Sequence, residues 1–314
     1  MAGESDHPGG IFLISLPVRP PIVVHHMAAQ DVANAPPNSL EAIDACLDSG
    51  AACVEVDVTA LADSDYLLVH ESRLEAETTG HGLVGKCSAA DAAGLFIKYN
   101  GQDTPFRVPR LSEVVAHFRE RPGLTRLQLD FKNVAPFALD EPLRRLVELI
   151  RPLGDQVIVS SVADWQLRRL RDLAPWLDLG FDIHFYMKDS TSEATDDPWD
   201  GPRQRGAYGY LDEHRLAETR IWSTTEYLAD RCAALLGLVP GVSTFYVNHH
   251  FLGQSLDDGF SWADALHERG VRLDAWTLDV GDPRVEQSAR RLLVAGVDQF
   301  TTNTPGALRR LLET

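Results

Sequence analysis

The stretch Cys53-Val54-Glu55-Val56-Asp57-Val58 decides how the rest of the chain is read. Its apolar residues fall on both parities, the pattern of a strand covered on both faces, as in a parallel sheet buried among helices. Within it Glu55 and Asp57 stand at i and i+2, so both carboxylates project to one side. Seven further runs share its character: Ile22–His26, Arg126–Phe131, Val157–Ser160, Leu177–Asp182, Thr244–Asn248, Val271–Thr277 and Gln299–Thr301. Helical spacing fills Ser39–Ser49, Leu111–Glu120, Asp140–Leu153, Asp164–Ala174, Thr225–Leu236, Ser255–Arg269 and Arg284–Ala295. Eight strands alternating with helices predict an α/β protein, a closed (β/α)8 TIM barrel. A doubly wound open sheet is the runner-up, weakened because no glycine-rich phosphate fingerprint follows the first strand.

Two long irregular stretches break the rhythm, about 72–110 and about 184–222. Loops of that length are expected to be functional lids or disordered inserts. No internal repeat or linker composition appears, so residues 1–314 read as one domain, with the barrel over about 21–312. The 29 Lys and Arg against 46 Asp and Glu leave a formal charge of −17 at pH 7. That balance excludes a nucleic-acid binder and attachment to an anionic membrane by charge. The hydrophobic fraction of 44% and charged fraction of 24% are ordinary for a globular protein. Cys46, Cys53, Cys87 and Cys232 lie far apart with no CxxC pair, which argues against a disulfide scaffold and a structural zinc. Acids rather than a positive segment precede the short apolar run 11–18, so a secretory signal is not expected. No stretch approaches the ~20 apolar residues of a membrane span. A cytoplasmic location without stable membrane insertion is therefore expected, and no feature points to an oligomeric state.

The active site of such a barrel lies at the C-terminal ends of its strands. There Glu55 and Asp57 would converge on one volume, and paired carboxylates repel unless a cation neutralises them. The alternative, a solvated edge strand, fits poorly with Cys53, Val54, Val56 and Val58 around them. The third strand ends in Asp130-Phe131-Lys132, either a structural ion pair or a third ligand beside a phosphate-binding lysine. His25-His26 close the first strand and His70 closes Tyr66-Leu67-Leu68-Val69. A lone histidine there is more often structural, but here a second histidine, three carboxylates and a lysine end neighbouring strands. One divalent cation, Mg2+ or Ca2+, on Glu55, Asp57 and Asp130, two histidines for proton transfer and a lysine for an anion make the set needed at a phosphodiester.

These residues resemble the glycerophosphodiester phosphodiesterase superfamily, including its sphingomyelinase D-like, phospholipase D toxin branch, over Pro21 to Leu312. The E-x-D pair of the family resembles Glu55-Val56-Asp57, its His-Asp resembles His70-Glu71, and its Thr-Thr-Gly resembles Thr78-Thr79-Gly80. Val108-Pro109-Arg110-Leu111, Trp276-Thr277-Leu278-Asp279 and Gly296 to Pro305 follow in the family's order. Where glycerophosphodiesterases have His-Arg-Gly and Pro-Glu-Asn-Thr, this chain has His26-Met27-Ala28 and Pro36-Pro37-Asn38-Ser39, without the phosphate-contacting arginine and the glutamate. His26-Met27, Asp130-Phe131-Lys132 and Thr302-Asn303-Thr304-Pro305 look like the toxin branch. The disulfide-closed loop of the toxins is absent, and Asp274 replaces their aromatic two residues before the tryptophan.

The resemblance implies His26 and His70 as the catalytic pair, Glu55, Asp57 and Asp130 as metal ligands, Lys132 at the phosphate, and Trp276, Asp279 and Asn303 around the substrate. His25 is the rival for His26, and counting five residues from Pro21, as the family's strand does, favours His26. His249-His250, ending the sixth strand, are either a capped strand end or a substrate contact. The expected substrate is a small glycerophosphodiester or lysophospholipid-type diester. Alternatives are intramolecular transfer giving a cyclic phosphate, a role on a phosphorylated intermediate of a specialised pathway, and, least favoured, a non-catalytic binding protein.

Overall fold

Alternating positions in each apolar run give every strand one face for the surrounding helices and one for the barrel interior. The computed structural model describes residues 20–31, 35–63, 65–121, 123–191 and 205–314. The apolar run 11–18 and part of the second insertion, 192–204, lie outside the described residues. Eight strands form the barrel: β1 (Ile22–His25), β2 (Cys53–Ala60), β3 (Arg126–Phe131), β4 (Val157–Ser161), β5 (Asp178–Asp182), β6 (Thr244–Asn248), β7 (Arg272–Trp276) and β8 (Gln299–Thr302). Each pairs in parallel with the next, and β1 pairs with both β8 and β2, which closes the sheet. All eight predicted strands are present, within two residues of their expected bounds.

Val54, Val56 and Val58 of β2, Leu127 and Leu129 of β3, and Phe245 and Val247 of β6 belong to the core shared with the helices. The intervening side chains Cys53, Glu55, Asp57, Gln128, Asp130 and Tyr246 therefore face inward. The register then sets the site, since it places Glu55 beside Gln128 and Asp57 beside Asp130.

The helices are α1 (Leu40–Asp48), α2 (Leu111–Glu120), α3 (Glu141–Ile150), α4 (Asp164–Leu173), α5 (Thr224–Leu238), α6 (His249–Asp257), α7 (Trp262–His267), α8 (Pro283–Val294) and α9 (Pro305–Leu312). In α3, Leu143, Leu146, Val147 and Ile150 make one buried stripe. Ser39 caps α1 on the Ala42 amide, and Ser223 with Glu226 forms a capping box on α5. The helix expected over Ser255–Arg269 is instead two. Gly259, at φ +82°, ends the first, and Ser261 caps the second on Asp264. The first also begins earlier, because the Asn248 side chain accepts from the His250 amide at 2.8 Å. His249-His250 therefore open α6 rather than end the sixth strand.

The stretch 72–110, expected to be irregular, is folded. Short helices at Leu74–Glu77 and Ala89–Ala92 and a hairpin of Phe96–Tyr99 with Gln102–Arg107 surround a separate apolar cluster that includes Leu61, Val69, Leu74, Val84 and Ile97. In the second insertion Met187–Lys188 pairs with Leu211–Asp212, and Arg231 of α5 holds the buried Asp212 at 2.7 Å. All four cysteines are buried free thiols. No helix among the described residues is long and apolar enough to cross a membrane.

Gly180 of β5 leaves interior space that the Tyr246 ring fills; a β-carbon there would sit 2.3 Å from Tyr246 Cε2 and 3.2 Å from Ser160 Cβ. Gly180→Ala is expected to destabilise the barrel by about 1–3 kcal/mol through overpacking. Urea unfolding measures it, and an unchanged midpoint would show that the ring is not locked in place.

Candidate active site

Glu55, Asp57 and Asp130 each present an oxygen within 4.8 Å of the others, level with the C-terminal ends of β1 and β3. Glu55 and Asp57 are 2% and 0% exposed. The Lys132 ammonium lies 2.5 Å from Asp130 Oδ2 and 3.0 Å from Asp57 Oδ1, so the ion pair read from the spacing of Asp130 and Lys132 exists and takes in Asp57 as well. Asn38 adds a second partner: its Nδ2 donates to Asp57 Oδ2 at 2.9 Å and its Oδ1 accepts from the Asp57 amide at 3.3 Å.

Burial, with Asp57 and Asp130 beside it, pushes the Glu55 carboxyl well above the usual carboxylate range, against Lys132 and the Met27 amide that donates to Oε2 at 2.7 Å. Burial also acts to raise Asp57, but Lys132, His70, the Asn38 hydrogen bond and His26 outweigh it and hold Asp57 below its ordinary value. Desolvation opposes the Lys132 charge, and Asp130, Asp57 and Glu55 overcome it, so its pKa is raised. The Lys132 ammonium thus offsets part of the cluster's negative charge. Glu55 Oε1 is buried without a hydrogen-bond partner, and Asp57 Oδ1 has only the ion pair. Hard oxygen donors left unsatisfied on the two buried members of the trio fit a divalent cation.

The two adjacent histidines separate by parity. His25 pairs with Val54, a helix-facing position, while Val24 pairs with the inward Cys53. His25 accordingly packs under α1, with Nδ1 3.0 Å from the Ala29 carbonyl oxygen and 3.5 Å from Cys46 Sγ, and burial lowers its pKa. His26 turns inward, its Nε2 4.0 Å from Glu55 Oε2. Its Nδ1 is 2.9 Å from Asn303 Oδ1, while Asn303 Nδ2 donates to Asp279 Oδ2 at 2.9 Å. A carboxylate only accepts, so Asp279 turns the Asn303 oxygen toward His26, Nδ1 carries a hydrogen, and Nε2 points toward the acids. The Met27-Ala28 turn beyond it runs at φ +50° and +58°, a left-handed path that glycine adopts without strain.

His70 is half-exposed, its Nδ1 3.1 Å from Glu71 Oε1, and its charge reaches Asp57. Trp276 stands edge-on to His184 at 5.1 Å, its indole nitrogen buried and unpartnered. His249 is buried, 3.4 Å from Ser288 Oγ; burial and then His250 lower its pKa to about 4, against Asp189 and Asp279. His250 is exposed on α6. The structure thus gathers Glu55, Asp57, Asp130, Lys132, His26, Asn303 and Asp279 into one network, with His70 beside it. It does not bring His25 there.

Asn38 and Asp182 escaped the sequence reading. Asn38 sits in the quoted Pro36-Pro37-Asn38-Ser39, yet its hold on Asp57 needs φ +57° and a fold-back of the loop. Asp182 ends a predicted strand on the inward parity, so the strand-end rule could have found it; burial, then Asp130 and Asp274, lift its pKa to about 8 against the His184 amide and Lys132.

The acidic centre lies where (β/α)8 barrel enzymes place their active sites. The chain belongs to the glycerophosphoryl diester phosphodiesterase family, which residues 31–307 match, and is a phosphoric diester hydrolase. A glycerophosphodiester phosphodiesterase of Caldanaerobacter subterraneus subsp. tengcongensis is 25% identical over 293 residues, 93% of this chain and 97% of that protein. A Galdieria sulphuraria structure described as a glycerophosphodiester phosphodiesterase superposes with a TM-score of 0.66 at 17% identity, over 95% of this chain and 100% of that one. An Oleispira antarctica phosphodiesterase, in complex with the product sn-glycerol-3-phosphate, has a TM-score of 0.60 at 19% identity, over 94% and 97%.

Because Glu55 is held above the ~4.3 of an unfolded glutamate, cation-free stability is full below that value and falls as pH rises through the raised one. Glu55→Gln should therefore melt higher than wild type in chelator at pH 8, by about 1–3 kcal/mol, match it near pH 4, and lose any stabilisation by Mg2+ or Ca2+. Calorimetry checks all three, and a destabilised variant at pH 8 would contradict the burial argument.

Proposed function

We propose that this protein is a divalent-cation-dependent phosphodiesterase cleaving a glycerophosphodiester or lysophospholipid-type diester, with His26 and His70 as its acid and base. The observation that carries this reading is the carboxylate trio, two of its members buried, with its orphaned Glu55 oxygen. Glu55, Asp57 and Asp130 would hold Mg2+ or Ca2+. Such a cation, when bound, neutralises the carboxylates and polarises a phosphoryl oxygen. Lys132, released from its pairs with Asp57 and Asp130, would meet an anionic phosphoryl oxygen. His26 presents Nε2 to the centre with its tautomer set by Asn303 and Asp279, which suits it to accept or return a proton there. His70, oriented by Glu71, would serve the opposite oxygen. Trp276 would wall the substrate, its buried indole N–H free to donate. The product held by the Oleispira antarctica relative supports a glycerol phosphate end.

Phosphorus NMR with sn-glycero-3-phosphocholine and with lysophosphatidylcholine tests this directly. A monoester signal that vanishes in EDTA and returns with Mg2+ or Ca2+ is expected. A cyclic phosphate as first product would instead identify the toxin-like intramolecular transfer. His26→Ala and His70→Ala should each lose roughly 10²- to 10⁴-fold in kcat; turnover undiminished by EDTA, or by both substitutions, contradicts the assignment.

A further inference from the structure

His70 presents a positioning problem. Its side chain is 48% exposed, and strand pairing before it ends at Tyr66–Leu67, so neither packing nor the barrel ladder places the imidazole. We infer that Thr59 and Glu77 are positioning residues that clamp the Val69–His70 peptide unit from both ends, and so set where the His70 ring meets the substrate; this rests on His70 acting in catalysis. Thr59 Oγ1 donates to the Val69 carbonyl at 3.0 Å. Glu77 Oε2 accepts from the His70 amide at 2.7 Å and from the Glu71 amide at 3.0 Å. Thr59 shares the inward parity of Glu55 and Asp57 on β2 and is buried, so one end of the clamp is fixed to the strand that carries the carboxylates. The other end is fixed to the first insertion. Glu77 closes the Leu74–Glu77 turn, whose Leu74 is buried in the insertion's own cluster and donates its amide to Gly82 O at 2.9 Å. Glu71 oriented by this clamp then holds Nδ1, leaving Nε2 as the working nitrogen. The insertion acts on the chemistry through hydrogen bonds to backbone, without touching the reacting atoms.

The test compares Glu77→Ala, Glu77→Gln and Thr59→Val with His70→Ala, using sn-glycero-3-phosphocholine turnover, Mg2+ affinity by calorimetry and exchange of the His70 amide by NMR. Glu77→Ala and Thr59→Val should each lower kcat roughly 10- to 100-fold. KM should stay within about twofold, Mg2+ affinity should be unchanged, and the His70 amide should exchange faster in Glu77→Ala. Glu77→Gln should restore kcat, since one amide oxygen can accept both N–H groups, and Glu77→Ala should add nothing to His70→Ala. Wild-type kcat in Glu77→Ala while His70→Ala is impaired overturns the clamp. Parallel loss of Mg2+ affinity and kcat overturns it too, as a general structural effect. Wild-type kcat in His70→Ala instead overturns the catalytic reading of His70 on which the clamp depends.

Discussion

Three carboxylates within 4.8 Å of one another, two of them buried, are the constraint around which this protein is arranged. Like charges at that separation are tolerated only if something neutralises them. In the cation-free protein burial and two acidic neighbours hold the Glu55 carboxyl well above its usual range, and the Lys132 ammonium sits between Asp57 and Asp130. Asn38 and the Met27 amide, brought in by the loops after β1, satisfy further lone pairs. Filling the same space with a divalent cation would relieve both compromises and free Lys132 for a substrate anion. The net charge of −17 gives this added weight, since a phosphodiester must approach a protein that repels it.

The barrel was legible because its strands are apolar runs covered on both faces, with the functional side chains of β2 and β3 on the inward parity. Glu55, Asp57, Asp130 and Lys132 all follow from it. The same parity separates His26 from His25 once Val24 is placed inward opposite Cys53. What resisted reading was local. Elements of four residues, such as Leu74–Glu77, are shorter than any window in which periodicity can be counted, so the first insertion looked irregular although it has its own core. The division of Ser255–Arg269 depended on one glycine taking φ +82°, and α9 is too short to stand out beside its neighbours. Asn38 and Glu77 act through contacts made across loops, which spacing alone does not encode.

Strain and support are concentrated at the same end of the barrel. Met27 and Ala28 hold left-handed backbone, a cost of roughly 1–2 kcal/mol each, in the turn that aims His26 inward and the Met27 amide at Glu55. Asn303 and Asp279 orient the His26 ring from the segments that follow β8 and β7. The rigid barrel thus supplies the carboxylates, while the segments that follow its strands supply and orient the histidines.

Anomalous diffraction from crystals soaked in Mn2+ tests the central claim most directly. One strong peak between Glu55, Asp57 and Asp130, with the Lys132 ammonium displaced from Asp57, is the result predicted here. An ordered crystal with no peak at these carboxylates, or with manganese bound elsewhere while Lys132 keeps its present pairs, would contradict it.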